Sequence, residues 1–470
     1  MSRINTNISS MIAGKVLATQ NQALNLSLQR LSTGLRINNG KDDPAGLIAS
    51  ELLRSEKNAI GAALTNVSRA NNVVGAAEGG LDEVNKLLTE LEDLVDRSSN
   101  EAAISDDERA ANQLQIDSIL SSINRIAGNT EFQGKKLLSG ELDYTTSGVS
   151  SSSFVDVDIT SARIAENASR SVIVQVTGSA QRAALTYAAS ATGSGITTLE
   201  IAGKLGTENV SFASGTAIAA VASAINQVKD LTGISATVTS ATGLTFNSVE
   251  FGSKQFVSVT SIQGSFALAG GVTKDYGVDA SVLINGTSAD VDGVRAKLNS
   301  SVLSVDLTLS DTFGTTPGTS TFYVTGGGAD FMISPRLNLN GLASLGVRAV
   351  NTSNLGSADT GYLSTLGSGQ SNSLSSGNFF TAQRIIREAQ TQVASLRGRL
   401  GAFQKDTLTT TANALTITLE NTTAAESSIR DTDFATETSL LTRSQILVQS
   451  ATNVLRLANQ QPQSILALLQ

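Results

Sequence analysis

Apolar residues at both ends of the chain recur at alternating steps of three and four, which is the spacing of helices that pair in coiled coils. A first stripe near the N-terminus comprises Leu17, Leu24, Leu28, Leu31 and Leu35. After a short polar loop, Asp43 and Pro44 are typical of a helix N-cap followed by proline at the first helical position. The pattern therefore predicts a second helix that runs from Pro44 towards Ser98.

The same spacing continues through two more stripes of this region. In the later part of the second helix the apolar positions are Leu81, Val84, Leu88, Leu91 and Val95. A third helix is predicted from about 106 to 127, with a stripe formed by Ile116, Ile119, Ile123 and Ile126. Any single stripe is also compatible with an ordinary amphipathic helix packed into the core of its own domain.

The C-terminal region repeats this pattern. One seam comprises Val393, Leu396, Leu400 and Phe403. Further on, Leu or Val recurs every seven residues with small residues between, at Leu440, Ser444, Leu447, Ala451, Val454 and Ala458. Pro462 is expected to break this helix before an apolar tail that includes Leu468 and Leu469, which should be buried against a partner. Because the stripes lie at opposite ends of the chain, we expect an antiparallel bundle, with the outermost stripes packed against another copy.

The composition changes between about 139 and 375, where Ser, Thr, Gly and Val dominate. Alternating or continuous apolar runs predict short strands at 171–177, 234–239, 255–260 and 302–309, and one helix at 217–231. The predicted fold class is therefore α+β and multidomain. Both chain ends form an antiparallel helical bundle or coiled coil, and a β-rich domain is inserted in the middle.

The composition also narrows the possible functions. Cys and His are both absent from the 470 residues, which excludes thiolate nucleophiles, Ser-His-Asp triads, disulfides and thiolate or imidazole zinc sites. The formal net charge of −8 argues against nucleic-acid binding, which requires a clustered basic excess. We expect no cofactor, no Sec-type signal peptide and no membrane span.

Two segments carry more information than periodicity. The first is Arg30-Leu-Ser-Thr-Gly-Leu-Arg-Ile-Asn38, followed by Lys41-Asp-Asp-Pro-Ala-Gly46. The second is Ile429-Arg-Asp-Thr-Asp-Phe-Ala-Thr-Glu437, followed by Gln445-Ile-Leu447 and Ala458-Asn-Gln-Gln-Pro-Gln463. Together they closely resemble bacterial flagellin, over about 1–138 and 376–470. In the middle, Leu199-Glu-Ile-Ala-Gly203 leading to Ala224-Ile-Asn226 resembles a small module often inserted in flagellins and filament-cap proteins.

The resemblance implies a non-enzymatic subunit that polymerises into the flagellar filament for swimming motility. It implies an N-terminal assembly helix (1–42), disordered in the free subunit, and a C-terminal assembly helix (429–470). Between them lie the two halves of a helical core, 43–138 and 376–428. The region 139–375 between these halves is β-rich, surface-exposed and divided into two subdomains. A short linker in place of about 141–372 should still permit filaments. The implied assembly interface comprises Leu17, Leu24, Leu28, Leu31, Leu35, Arg36, Asp42, Asp43, Leu440, Leu447, Val454, Leu468 and Leu469.

The resemblance also implies partners and a location. The partners are other copies of the chain, an export chaperone, and the hook-junction and cap proteins of the flagellum. The location is the extracellular filament, reached by the flagellar type III export route without a cleaved signal peptide.

Immune sensing is a further point of comparison with flagellins. Those recognised by the flagellin-detecting Toll-like receptor carry a stretch resembling Leu-Gln-Arg-x-Arg-Glu-Leu in the helix that corresponds to 88–97. In this sequence Glu90 and Glu92 occupy the two Arg positions, and Gln115 stands where such flagellins place a Glu. Because a carboxylate reverses the charge of an interface Arg, we expect normal assembly with weak or no receptor activation.

The sequence also bears on three alternative functions. The hook–filament junction protein shares the terminal architecture, but the Ala-Asn-Gln-x-Pro tail ending in Leu-Leu favours flagellin. A zinc protease, found in the exposed domain of some flagellins, requires His-Glu-x-x-His, and this chain has no His. A coiled-coil surface adhesin would combine helices and strands without requiring the two terminal motifs.

Overall fold

The computed structural model describes residues 6–100, 104–165, 168–240, 243–300, 302–358 and 360–468, with side chains described up to 461. The chain divides into two compact units. The first comprises the chain ends, up to Val67 and from Thr409, together with Ile333–Arg336. The second comprises Ser68–Met332 and Leu337–Leu408.

Helices occupy both ends of the chain, as the sequence predicts. Those at the ends are α1 (Ile8–Thr33), α2 (Pro44–Ser98) and α3 (Asp106–Asn129), then α7 (Phe379–Ala402), a π-helix (Phe403–Thr409), α8 (Thr410–Arg430) and α9 (Phe434–Leu468). Short helices of the middle region are α4 (Ile218–Gln227), α5 (Lys229–Thr232) and α6 (Asp311–Thr315), with 3-10 turns at Ala269–Gly271, Leu339–Gly341, Leu363–Leu366 and Leu374–Ser376.

The start and the buried face of α2 are those that its sequence predicts. The carboxylate of Asp43 accepts a hydrogen bond from the backbone amide of Gly46 (2.9 Å), which caps the helix. Its buried stripe continues without interruption through Ile60, Ala63, Val67, Ala70, Val74, Ala77, Leu81, Val84, Leu88, Leu91 and Val95. Gly80 is required by close packing, because a Cβ there would lie 2.7 Å from the Thr130 hydroxyl and 2.8 Å from Leu138.

The predicted break at Pro462 is wrong, because α9 continues through this residue to Leu468. A proline inside a helix lacks the amide hydrogen that would bond to the carbonyl four residues earlier. That carbonyl belongs to Ala458, and it accepts a hydrogen bond from the side-chain amide of Asn7 instead (2.7 Å). A contact with the opposite end of the chain therefore satisfies the carbonyl that proline leaves free.

Two other helices depart from the sequence prediction. The helix predicted at 217–231 is divided at Val228 into α4 and α5. In the C-terminal region, the seam helix α7 passes at Phe403 into a π-helix that precedes α8. Neither break contains Pro or Gly, the residues that usually interrupt a helix. The sequence pattern therefore did not predict these two breaks.

The chain between α3 and α7 forms short antiparallel strands. They are β1 (Glu131–Phe132), β2 (Lys135–Lys136), β3 (Tyr144–Ser147), β4 (Phe154–Ala162), β5 (Arg170–Gly178), β6 (Ala184–Tyr187), β7 (Thr197–Gly203), β8 (Thr207–Phe212), β9 (Ile234–Ser240), β10 (Gly243–Ser248), β11 (Phe256–Gln263), β12 (Lys274–Tyr276), β13 (Ser281–Ile284), β14 (Thr287–Ser288), β15 (Asp290–Asp292), β16 (Arg295–Asn299), β17 (Leu303–Leu309), β18 (Gly318–Gly327), β19 (Ala329–Met332), β20 (Leu342–Leu345), β21 (Gly356–Ser357) and β22 (Gly361–Tyr362). The four strands predicted from apolar runs are confirmed as β5, β9, β11 and β17.

Two sheets share one core and form a sandwich. Their strand orders are β14-β13-β5-β18-β3 and β15-β16-β17-β4. The core between them is built by alternate side chains, among them Val172, Val174, Val176, Val305, Leu307 and Phe322. Arg399 of α7 pairs with Asp158 of β4 (3.2 Å) and donates to the Thr160 hydroxyl (2.8 Å), so the sandwich is tied to the helical part of the same unit.

A second hydrophobic core lies in the segment that runs from β6 to β12. Its sheets have the orders β6-β10-β9 and β12-β11-β7-β8. The helix α4 contributes Ile218, Val221 and Ile225 to this core. Gln181 and Val278, which flank the segment, exchange two backbone hydrogen bonds of 2.8 and 2.9 Å. The two ends of this segment therefore lie side by side. We call the segment, residues 182–277, the inserted module.

We expect Phe322→Ala to destabilise the sandwich by about 3–5 kcal/mol, because it empties a fully buried site. The ring of Phe322 packs edge to face on that of Phe154, with 5.5 Å between centroids. Differential scanning calorimetry measures the loss. Tyr323→Ala is the matched control, since the neighbouring side chain is 46% exposed on the opposite face of β18, and it should cost less than about 1 kcal/mol. Equal losses in both variants would contradict this interpretation.

Candidate assembly interface

The two sequence motifs meet in a short antiparallel clasp, formed by residues 34–36 and 430–432. The amide of Arg36 donates to the carbonyl of Arg430 (2.7 Å), and the amide of Thr432 donates to the carbonyl of Gly34 (2.9 Å). Gly34 ends α1 in the left-handed conformation, with φ of 74°, which glycine adopts without a steric cost. The clasp therefore places the C-terminal end of α1 beside the N-terminal end of α9.

Polar side chains that the sequence singled out stabilise this clasp and the loop after it. The Arg36 guanidinium donates to the carbonyl of Ile429 (2.5 Å) and lies 4.0 Å from the carboxylate of Asp43. Asp42 accepts hydrogen bonds from two amides of the preceding loop. The bond from the Asn39 amide is the largest cause that holds the pKa of Asp42 below its usual value. The structure thus brings Arg36, Asp42 and Asp43 together at one end of the helix pair.

The helices α1 and α9 pack antiparallel through a seam of small residues. The Ser10 hydroxyl is 2.6 Å from the side-chain oxygen of Asn459, near one end of the pair, and Arg30 meets Glu437 near the other. The buried positions are Ala13 and Ser27 on α1, and Glu437, Ser444, Ala451 and Ala458 on α9. Small side chains let the helix axes approach closely. Leu17, Leu24, Leu31 and Leu35 are half-buried beside them.

Several large apolar side chains of this pair are exposed in the single chain. Leu28 is 47% exposed, because Ser27 takes the buried position next to it. Leu440, Leu447 and Val454 are 41%, 38% and 55% exposed. They flank the α9 seam, whose half-buried positions are the following residues Leu441, Val448 and Leu455. The side chain of Leu468, and Leu469 as a whole, lie outside the described residues.

An apolar groove runs along this flank between α1 and α9. It has a volume of about 420 Å³ and is lined by Ile12, Ala13, Val16, Leu447, Ala451 and Val454, among others. Ile8, Met11 and Ile12 are each at least 60% exposed beside it. We call this exposed surface the apolar flank. An exposed apolar surface of this kind is typical of a protein interaction site.

The positions compared with receptor-recognised flagellins lie in the second unit. The carboxylate of Glu92 accepts hydrogen bonds from Arg387 (3.0 Å) and Gln390 (2.9 Å) of α7. The bond from Arg387 is the main cause that lowers the pKa of Glu92. Glu90 on α2 and Gln115 on α3 are exposed to solvent. Glu92 is therefore part of the helix packing, whereas Glu90 and Gln115 point to solvent.

Sequence reasoning did not single out two polar contacts of the helix pair, namely Arg30 with Glu437 and Asn7 with Ala458. Arg30 and Glu437 are terminal residues of the two motifs, but a search for apolar periodicity passes over charged residues. A usable signal was present: Glu437 lies seven residues before Ser444 and occupies the same repeat position as the small residues of α9. Asn7 had no comparable signal.

The described residues contain neither a cluster of metal-ligating side chains nor a helix that could span a membrane. Within them, no group of three or more acidic side chains is arranged to hold a metal ion. None of the described helices combines the length and the apolar character required to cross a membrane.

Comparisons with known proteins agree with the terminal motifs. Residues 4–143 match the bacterial flagellin N-terminal helical region, residues 383–469 match the C-terminal helical region, and residues 198–250 match the flagellin hook IN motif. The B-type flagellin of Pseudomonas aeruginosa is 30% identical over 499 residues, with 99% of both chains covered. Flagellin of Salmonella typhimurium is 29% identical over 527 residues, again with 99% of both chains covered.

Similar solved structures include FliC from Burkholderia pseudomallei, at 16% identity and a TM-score of 0.24, covering 71% of this chain and 98% of that one. The flagellar junction protein FlgL from Legionella pneumophila aligns at 13% identity and a TM-score of 0.29, covering 81% and 99%. The full-length relatives favour the filament subunit over the junction protein.

Proposed function

Because the chain belongs to the bacterial flagellin family and is a structural subunit of the flagellar filament, we propose that the clasp and the α1–α9 pair form its assembly interface. The observation that carries this proposal is the apolar flank, where Leu447 and Val454 border an open groove. Burying apolar surface between copies is favourable by about 25 cal/mol per Å². The proposed interface includes the leucines of α1, the residues Arg36, Asp42 and Asp43, and the tail with Leu468 and Leu469.

We also propose that 1–42 and 429–470 are disordered in the free subunit and fold on assembly. The sequence of α1 has no aromatic residue, and its buried positions are small, so the isolated pair gains little from burial. Hydrogen exchange tests the proposal. Amides of 8–33 should exchange at least about 100-fold more slowly in filaments than in monomers, whereas those of 81–95 should be protected in both. Equal protection of 8–33 in the two states would refute it.

Membership of the flagellin family supports proposals for the remaining roles. We propose that the subunit leaves the cell by the flagellar type III route, with an export chaperone, and joins the junction and cap proteins at the ends of an extracellular filament. We assign it no catalytic activity, since the family to which it belongs is structural.

For immune sensing, we propose that this flagellin activates the flagellin-detecting Toll-like receptor weakly or not at all. The support is the charge at two positions, since Glu90 and Glu92 replace the Arg residues of the basic stretch. An interface Arg is often a hot spot, and a carboxylate in its place is repelled where Arg is attracted.

The structure decides how this proposal should be tested. Glu92→Arg alone would set two cations against each other, because Glu92 pairs with Arg387. Glu90→Arg and the double variant Glu92→Arg with Arg387→Glu avoid this conflict. Each should raise the potency of purified monomer in a reporter-cell assay about tenfold. Glu56→Arg, at an exposed position of α2, is the control and should change nothing. Wild-type protein as potent as a recognised flagellin would disprove the proposal.

A further inference from the structure

An ion pair is buried in the seam between α1 and α9. A guanidinium nitrogen of Arg30 lies 3.5 Å from a carboxylate oxygen of Glu437, and the two side chains are only 22% and 7% exposed. Neither Nε of Arg30 nor Oε1 of Glu437 has a hydrogen-bond partner among the described residues. A buried pair with unsatisfied atoms contributes little net stability, because the cost of desolvation offsets the attraction. Its presence therefore needs a reason other than stability.

The small residues of the α9 seam do not distinguish one register from another shifted by seven residues. On α9 the buried positions after Glu437 are small at every repeat: Ser444, Ala451 and Ala458. On α1 the buried positions Ala13 and Ser27 are two repeats apart. Gln20, which is half-buried, lies between them at the intermediate repeat position. On the α9 side, therefore, a shift of seven residues again presents a small residue at each buried position. Polar or charged residues at single core positions are the usual means by which coiled coils specify register.

The charges of the two helices are distributed so that only one register places a cation of α1 beside Glu437. It is the only acidic residue in the sequence of α9, and the sequence of α1 has none. The cations of α1 are Lys15 and Arg30. A shift of seven residues would set either Ala23 or a position beyond the end of α1 against Glu437. The carboxylate would then be buried without a cation, which is strongly unfavourable.

We propose that Arg30 and Glu437 act with the clasp to fix the register of the terminal helix pair within each subunit. The clasp favours this register at one end, because α1 ends one residue before Gly34 and α9 begins two residues after Thr432. The ion pair, about one turn into α9, rejects shifted pairings. The proposal concerns pairing inside one subunit, so it holds or fails independently of the apolar flank.

Engineered cysteines can report the register directly, because the chain contains no Cys. Ser10→Cys with Asn459→Cys reports the observed register, since these side chains are in contact at 2.6 Å. Ser10→Cys with Thr452→Cys reports a shift of seven residues. Full-length protein is oxidised after seeded assembly, and the disulfide yields are compared. We expect the first cysteine pair to form at least about tenfold more disulfide than the second. In the Arg30→Met/Glu437→Met background, this ratio of disulfide yields should fall below about threefold.

Charge exchange provides the second measurement. Arg30→Glu and Glu437→Arg should each lower the ratio about tenfold, and the double variant should restore it to within about twofold. Arg443→Glu is the matched control, as an exposed cation of α9, and should leave the ratio unchanged. If a single variant forms no filament, recovery of filaments by the double variant supports the proposal. An unchanged ratio with the two Met residues, no recovery by charge exchange, or an equal effect of Arg443→Glu would overturn it.

Discussion

Removal of every residue after Asn453 is expected to abolish filament formation and to leave the second unit folded. The truncation deletes the carbonyl of Ala458 that Asn7 contacts, and Asn459, which contacts Ser10. It also deletes Val454 and Leu457, which are 55% and 62% exposed on the apolar flank. Without these residues the first turn of α1 loses its hydrogen bond to α9 through Ser10 and Asn459. We expect the critical concentration for assembly to rise at least about 100-fold, which corresponds to ~3 kcal/mol.

Sedimentation and electron microscopy after seeding measure this effect. Asn453→Ala, an exposed position at the truncation site, is the control and should assemble as the wild type does. The melting transition of the truncated protein should persist, because the buried stripe of α2 and the sandwich core remain complete. Long filaments of the truncated protein at the wild-type critical concentration would show that the tail is not an assembly element.

Excision of the inserted module, residues 182–277, is expected to leave assembly intact. Gln181 and Val278 already exchange two backbone hydrogen bonds, so a two-residue Asn-Gly turn can join them without moving the sandwich. The module has its own core, which does not include residues of the helical ends. The excision loses the surface contact of Arg182 with Asp311 (3.1 Å) and the partly buried Phe251, which packs against the sandwich core. We expect the critical concentration to change by less than about threefold, since exposed ion pairs contribute little.

The larger replacement of 141–372, which the sequence alone predicts to permit filaments, is expected to destabilise the helical core. Residues near its end are bound to the helical core: the amide of Thr352 donates to the side chain of Asn124 (2.9 Å), and Leu363 is fully buried. Arg399 would also lose Asp158. We expect the melting temperature of the helical core to fall by about 4 °C or more in this variant only. Filaments lost on excision of 182–277, with the helices still folded, would contradict the proposed independence of the module.

The elements of the helical ends were determined by sequence. The apolar steps of three and four predicted the stripe of α2 from Leu81 to Val95, and Asp43-Pro44 predicted its first turn. Both signals act within a few residues along the chain, so they survive any change in tertiary context. The two motifs also determined that the chain ends belong together, and the structure joins them in the clasp.

The tertiary structure decided which side of α9 is buried. Leu440, Leu447 and Val454 share one repeat with Leu441, Val448 and Leu455, displaced by a single residue. Periodicity cannot separate two such stripes, because a rotation of the helix by about 100° exchanges them. Close approach of α1 at Ala13 and Ser27 selects the seam beside Ser444 and Ala451, and the larger side chains remain on the flank.

The same reason applies to Pro462 and to the pair of Arg30 with Glu437. A proline breaks a helix when the carbonyl that it leaves free has no other donor. Here the donor is Asn7, at the opposite end of the chain, and no local rule relates the two positions. The sequence contained every one of these residues. Only the packing of one end on the other decided which of them meet.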